Sequence, residues 1–172
     1  GKEGTNLGMA IIREHLAVKG LGLHNDLQNE HSIVGNNVGL LLMINYGTDS
    51  QKAEWIDDLA EGRRGFAFGI TEPEHGSDAT HMETHAERDG DEWVINGAKT
   101  WNTGIHKAKY DLIFARTSGK QGDGEGITAF LTPTDSEGFK VEEMLWTFNM
   151  PTDHGRISMQ DVRVPSDAIF GE

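Results

Sequence analysis

Beyond Phe66 the chain never runs far before a turn signal stops it, and that spacing constrains the fold more than any other feature. Asp89-Gly90, Asn96-Gly97, the glycine-rich stretch from Ser118 to Gly126, Pro133 and Glu137-Gly138 all favour reversals of direction. The stretches between them are short and carry strand-forming residues. We read strands at 66–71, 83–88, 92–95, 98–103, 110–116, 126–133, 139–143 and 156–164. Many short strands at this spacing favour an antiparallel barrel or sandwich. The stretch Ser118–Gly126 reads as a flexible loop, because no helix with Lys and Ser/Thr follows it as a phosphate loop requires.

Before Phe66 the texture is helical. Leu7, Ile11, Ile12, His15, Leu16 and Ala17 recur at near-helical spacing until Gly20 and Gly22 break the pattern. Residues 31–46 are apolar nearly all round, which suits a helix buried among others. Gly47 ends that stretch, and Thr48-Asp-Ser-Gln51 offers a capping box for the next helix. That helix sets Ala53, Ile56, Leu59 and Ala60 on one face, with Gly62 as its stop. The expected fold is therefore α+β. A helical portion covers 1–64 and a β-domain covers 65–172, with the boundary near Gly65.

A formal charge of −13 argues against phosphate-backbone binding, so no nucleic-acid partner is expected. The absence of cysteine excludes disulfides, thiolate metal sites and cysteine nucleophiles. The longest apolar run, Val38 to Ile44, contains Gly39 and is far too short to span a membrane. No secretory signal pattern opens the sequence, and the default expectation is a cytoplasmic protein.

Two constellations suggest chemistry. In a regular strand Lys99, Trp101 and Thr103 point the same way, with Trp101 and Thr103 about 7 Å apart. A large ring beside a hydroxyl suits a flat heteroaromatic ligand, although a barrel-end Trp beside a β-propensity Thr explains the pair equally well. Thr71 stands before a Glu72-Pro73 turn. Gly76 allows close backbone approach and Ser77 adds a hydroxyl, which fits a pyrophosphate or simply a capped surface turn. His81 and His85 on one strand face would stand about 13 Å apart, too far for one metal ion. His75 adds nothing to that geometry, and no metal site is expected. His24 and His31, near Asp26 and Glu30, read as solvated or capping residues. No Ser-His-Asp spacing is present.

Four stretches, taken together, resemble the acyl-CoA dehydrogenase family. They are Gly47-Thr-Asp-Ser-Gln-Lys52, Phe68-Gly-Ile-Thr-Glu-Pro-Glu-His-Gly-Ser-Asp78, Trp93-Val-Ile-Asn-Gly-Ala-Lys-Thr-Trp-Asn-Thr103, and Asp161-Val-Arg-Val-Pro165 with Phe170-Gly171 after it. They fall in the family's order. The resemblance implies the end of an amino-terminal helical domain followed by the middle β-domain, with FAD as cofactor.

By position, Phe68, Ile70, Thr71, Gly76 and Ser77 would line the isoalloxazine and pyrophosphate, with Thr71 on the pyrimidine edge. Ser77 would also meet the substrate thioester region. Trp101 would cover the ring, Asn102 would belong to the same set, and Thr103 would bond flavin N5. The family oxidises an acyl-CoA to the trans-2-enoyl-CoA, as in fatty-acid β-oxidation. It removes an α proton with a carboxylate and passes the β hydrogen to N5. An electron-transfer flavoprotein or similar acceptor reoxidises the flavin, and members form dimers or tetramers. The carboxylate belongs to a carboxy-terminal helical domain beyond these residues. No catalytic residue is therefore assigned, and no turnover is expected from this stretch alone.

The chain departs from the family pattern at Gly104, where Asn is common, and at Thr152-Asp153-His154, where the family has Ser-Asp-Thr. The alternatives are a same-fold acyl-CoA oxidase or flavin monooxygenase, and a non-catalytic β-domain that serves only assembly.

Overall fold

The computed structural model describes residues 5–20, 38–147 and 150–171. They fall into two compact units, Gly1–Val38 and Gly39–Glu172. In the first, α1 (Asn6–Val18) starts where Thr5 Oγ1 accepts from Gly8 N at 3.0 Å, and it gives way at Gly20, whose φ is 73°. Leu7, Ile11, Ile12 and Val18 on this helix are exposed. The helix expected over 31–46 is described from Val38 onward, and His24, Asp26, Glu30 and His31 lie outside the described residues.

The helix α2 (Val38–Tyr46), which from Gly39 on belongs to the second unit, leads through Gly47 into α3 (Asp49–Ala60). The capping box is present as read: Gln51 N donates to Thr48 Oγ1 and Thr48 N donates to Gln51 Oε1. Gln51 is buried because it does more than cap. Its Nε2 donates to Ile169 O at 2.6 Å, and its Oε1 also accepts from Gly171 N at 3.1 Å. One side chain thus ties the start of α3 to the last strand's exit. Gln51→Ala is expected to lower stability by about 1–3 kcal/mol, since it removes a cap and two part-buried hydrogen bonds. A urea midpoint equal to that of the unaltered protein would count against this.

The seven strands are β1 (Phe66–Gly69), β2 (His85–Asp89), β3 (Glu92–Thr103), β4 (Tyr110–Arg116), β5 (Ile127–Pro133), β6 (Phe139–Thr147) and β7 (Met150–Pro165). They form one sheet in the order β1-β4-β2-β3-β7-β6, with β5 on β4. The expected α+β order is the observed one. The sheet is mixed, because β1 pairs parallel with β4 from Phe66↔Tyr110 to Gly69↔Ile113. The chain between them, which includes the β2–β3 hairpin, is long enough for a parallel return.

One sheet face packs on α2 and α3 through Met43, Trp55, Leu59, Leu112 and Leu131. The other gathers Ile95, Ile113, Phe130, Ile157, Val162 and Val164, with Ile105 from the turn after β3. Each such side chain contributes about 1.5–3 kcal/mol on burial, enough together to fix which face is which.

Three sequence expectations need correction. Asn96-Gly97 is no hairpin turn: 92–95 and 98–103 belong to a single strand. The register slips between Ile95↔Val162 and Gly97↔Met159, so β7 carries an extra residue there. Asp161 absorbs it at φ 53°, and Asn96 clamps it, accepting from Asp161 N at 2.8 Å and donating to its carboxylate at 3.2 Å. Gly97 has φ 146°, and a Cβ there would stand 2.4 Å from Thr84 Oγ1.

The second correction concerns Ser118–Gly126, which is held fast. Arg116 donates to the carbonyls of Ser118, Asp123 and Glu125, and across to Thr80 O at 2.6 Å. The third, the shared face of Lys99, Trp101 and Thr103, bears directly on the site.

Candidate functional site

A second register slip, between Lys99↔Ile157 and Asn102↔Gly155, gives β3 one residue too many. The surplus falls at Thr100-Trp101, and Trp101 takes φ 64°. The bulge breaks the alternation that the sequence suggested. Lys99 points inward and is fully buried, whereas Trp101 is 45% exposed. A bulky side chain at positive φ costs energy that the surrounding structure must supply, and such residues cluster at ligand sites.

Lys99 is the link between the two motif stretches. Its Nζ donates to Glu72 Oε1 at 2.9 Å and to Ile70 O at 3.2 Å. Glu72, also buried, accepts from Glu83 N at 2.6 Å and Thr84 N at 2.9 Å. Thr100 N donates to Thr71 O at 2.8 Å. So 70–72 is stitched to 99–100 by an ion pair and a backbone bond. Burial alone would raise the Glu72 carboxyl. Its hydrogen bonds from Thr84 and Glu83, with the Lys99 charge, outweigh burial and hold it below the usual carboxylate range. Burial pushes the Lys99 ammonium down, against the opposing pull of Glu72 and Asp111.

Beneath Gly69 lies a second buried pair. Asn102 Nδ2 donates to Asp111 Oδ2 at 2.5 Å, and both residues are inaccessible to solvent. Asn102 Oδ1 and Asp111 Oδ1 have no hydrogen-bond partner. Burial pushes the Asp111 carboxyl up to about 7, against the Asn102 bond and the Lys99 charge. A Cβ on Gly69 would stand 2.8 Å from Asn102 Nδ2, which is why this position has no side chain.

The structure therefore places the sequence-predicted residues in distinct ways. Phe68 lies at the surface, its ring 5.2 Å from that of Phe114. Ile70 and Thr71 are half-buried and joined to β3 through their carbonyls. Gly76 and Ser77 are exposed in a turn that hangs from Glu72, whose N–H donates to His75 O at 3.0 Å. A Cβ on Gly76 would meet nothing within 4 Å. Asn102 faces the interior, so only its backbone is available to a ligand.

Thr103 is half-buried, and its Oγ1 lies 3.0 Å from His154 Nδ1. His154 also packs edge-on against Trp101, with ring centroids 6.1 Å apart. The sequence reading passed over His154 except as a departure from the family pattern. Lys99 likewise gives no sign in the sequence that it is enclosed, because Asn96, Thr100, Asn102 and Thr103 around it are polar. His75 and His81 bring their rings to 6.2 Å, each against its own carboxylate, Glu83 and Asp78. Among the described residues no three metal-ligating side chains converge, and no helix is long and apolar enough to cross a membrane.

Comparison with known proteins identifies the family. A family model described as "Acyl-CoA dehydrogenase, middle domain" matches residues 67–162. The acyl-CoA dehydrogenase FadE12 of Mycobacterium tuberculosis is 30% identical over 163 residues, covering 95% of this chain and 40% of that protein. The chain thus spans about two-fifths of the length of the curated relatives it matches first. Among solved structures, the ChsE4–ChsE5 complex of Mycobacterium tuberculosis aligns with TM-score 0.76 at 30% identity, over 100% of this chain and 42% of that one. A glutaryl-CoA dehydrogenase of Mycobacterium smegmatis in complex with FADH2 aligns with TM-score 0.67 at 33% identity, over 78% of this chain and 33% of that one. With over half its length matched by the family model and its two motif stretches joined around Lys99 and Glu72, the chain belongs to the acyl-CoA dehydrogenase family.

Proposed function

We propose that this chain is the FAD-binding portion of an acyl-CoA dehydrogenase. The observation that carries the reading is the junction of the two motif stretches. A buried ion pair and a positive-φ bulge hold Trp101 out to solvent, with Thr103 at its side across His154 and Thr71 fastened to the adjoining Thr100. The donor set fits the cofactor. An exposed indole offers a stacking face, the Thr71 and Thr103 hydroxyls suit a polar ring edge, and the open backbone at Gly76 with Ser77 suits a phosphate. That a structural neighbour holds FADH2 supports the assignment.

In this reading Phe68, Ile70, Thr71, Gly76, Ser77, Trp101 and Thr103 hold FAD, and Asn102 serves from below by bracing Asp111. Bound FAD supplies the acceptor for the hydride that leaves the β carbon of an acyl-CoA thioester. The residues of this chain bind and orient. Trp101 excludes water from one side of the ring, Thr103 fixes a hydrogen bond at its centre, and Ser77 lies toward the thioester. No residue here takes the α proton. Oxidation of acyl-CoA to trans-2-enoyl-CoA, reoxidation by an electron-transfer flavoprotein and assembly into a homo-oligomer are part of the proposal for the whole protein.

The test is flavin content. The full-length protein, incubated with FAD and freed of excess, retains visible flavin absorbance. Trp101→Ala and Thr103→Val are each expected to lose roughly tenfold or more in FAD affinity, as removal of a stacked ring or a hydrogen bond of about 1.4 kcal/mol requires. A colourless unaltered protein overturns the reading, and unchanged affinity in both variants overturns the residue assignment.

A further inference from the structure

His154 is placed by an irregularity of β7. Between Met144↔Gly155 and Trp146↔Pro151 that strand spends four steps where β6 spends two, and the surplus residues bow out of the ladder. Thr152 Oγ1 ties the bow down by donating to Leu145 O at 2.8 Å and accepting from His154 N at 3.2 Å. Gly104 N donates to Asp153 O at 2.7 Å, and Thr103 pairs with His154 across the strands. The imidazole is thereby held with Nδ1 on the Thr103 hydroxyl and its ring edge against Trp101. Where the family pattern has a threonine, whose hydroxyl has a single proton to place, this chain has an imidazole with two ring nitrogens that can each donate or accept.

We propose that His154 sets the direction of the Thr103 hydroxyl and so links the proton state of the imidazole to the oxidation state of the bound cofactor. This rests on the flavin reading above. A hydroxyl donates one hydrogen bond and accepts others. When Nδ1 carries a proton it donates to Thr103 Oγ1, and the hydroxyl hydrogen is directed to another acceptor. When Nδ1 carries a lone pair the hydroxyl donates to it, and its oxygen presents a lone pair instead. A ring nitrogen that accepts in the oxidised cofactor and carries hydrogen in the reduced one needs these two arrangements in turn. His154 is a positioning residue here, acting through Thr103.

Among the described residues the ionisable group against the ring is Asp153, whose Oδ1 is 3.7 Å from Nδ1, is buried, and has no hydrogen-bond partner there. The charges next along the paired strands, Arg156 of β7 and Glu143 of β6, pair with each other at 2.9 Å. On β3 the facing residues, Trp101 and Thr103, carry no charge.

The test measures the midpoint potential of the flavin in the full-length protein from pH 5.5 to 8. The expected result is an inflection within that range that depends on His154. Its amplitude should correspond to about a fivefold change in relative affinity for the oxidised and reduced cofactor. His154→Asn, which keeps a polar neighbour but cannot titrate, abolishes the inflection. Thr103→Val, which keeps the imidazole and its charge, at least halves it. No inflection in a flavin-loaded unaltered protein, or an inflection unchanged in Thr103→Val, overturns the proposal while leaving the flavin reading intact. An unaltered protein that takes up no flavin overturns both.

Should the variants fail to hold flavin, the nitrogen resonances of the His154 ring decide the matter in the cofactor-free protein. A changed Nδ1 protonation on Thr103→Val is expected, and identical resonances overturn the link.

Discussion

Glu72→Ala lowers the stability of the protein by about 3–5 kcal/mol, because it strands a buried lysine charge. Against a total of about 5–15 kcal/mol for a typical domain, that is a large fraction. The carboxylate has three partners, Lys99 Nζ and the backbone N–H groups of Glu83 and Thr84. Its loss also frees the turn that carries Gly76 and Ser77, so under the proposed flavin reading flavin retention falls with stability. The double variant Glu72→Ala with Lys99→Met removes the stranded charge and leaves only neutral groups unsatisfied, the N–H groups of Glu83 and Thr84 and the carbonyl of Ile70. It is expected to be more stable than Glu72→Ala alone. Urea unfolding of the two variants decides. A cost below about 1 kcal/mol for the single change, or a double variant weaker than the single, would show that the pair does not anchor the site.

Asp111 predicts a distinct dependence on pH. Its carboxyl is pushed from an ordinary 3.8 up to about 7 by burial. The folded state therefore holds a proton that the unfolded state has released, between about pH 4 and pH 7. Stability from this group is present in full below pH 4 and declines as pH rises through that window. It is lost once Asp111 itself ionises, and no further change follows above pH 7. Three pKa units correspond to about 4 kcal/mol, an upper figure for a site that can relax.

Asp111→Asn fixes a neutral group of the same shape against Asn102. It is expected to be more stable than the unaltered protein at pH 8, with the advantage shrinking as pH falls to 4.5. The difference between the two stability–pH curves is the quantity to measure, since it cancels the other ionisable groups. A flat difference across that range would mean that Asp111 is ionised throughout.

Much of the fold could be read from the sequence because its signals are local. The Thr48–Gln51 capping box lies within four residues, and Gly62, at φ 71°, ends α3 by local backbone geometry. The strand positions follow from β-branched residues bounded by turn signals. The bulges could not be read in this way. Asn96-Gly97 carries a hairpin signature, but it is overruled by a surplus residue in β7, where Asp161 sits 65 positions on. The motif around Trp101 and Thr103 is legible as a string, but the unbroken strand face they would share with Lys99 fails at the same kind of irregularity. His154 was invisible as a partner of Thr103, because strand register across 51 residues has no local signal. Lys99 and Glu72 stand among polar neighbours in the sequence, and only the fold shows that both are buried and are each other's partner.

The contact of Gln51 with Ile169 and Gly171 has a consequence for how such a module can be handled. A Cβ on Gly171 would stand 2.7 Å from Tyr46 O, so the way in and the way out of the sheet unit share one gate. A chain with this gate is suited to circular permutation. A peptide can join Gly171 to the start of α2, which keeps Met43 in the core, and new ends can be opened at an exposed hairpin such as Asp89-Gly90 without parting Lys99 from Glu72. For the same reason the unit can be grafted into another host as a single insert, its two junctions side by side on the host surface.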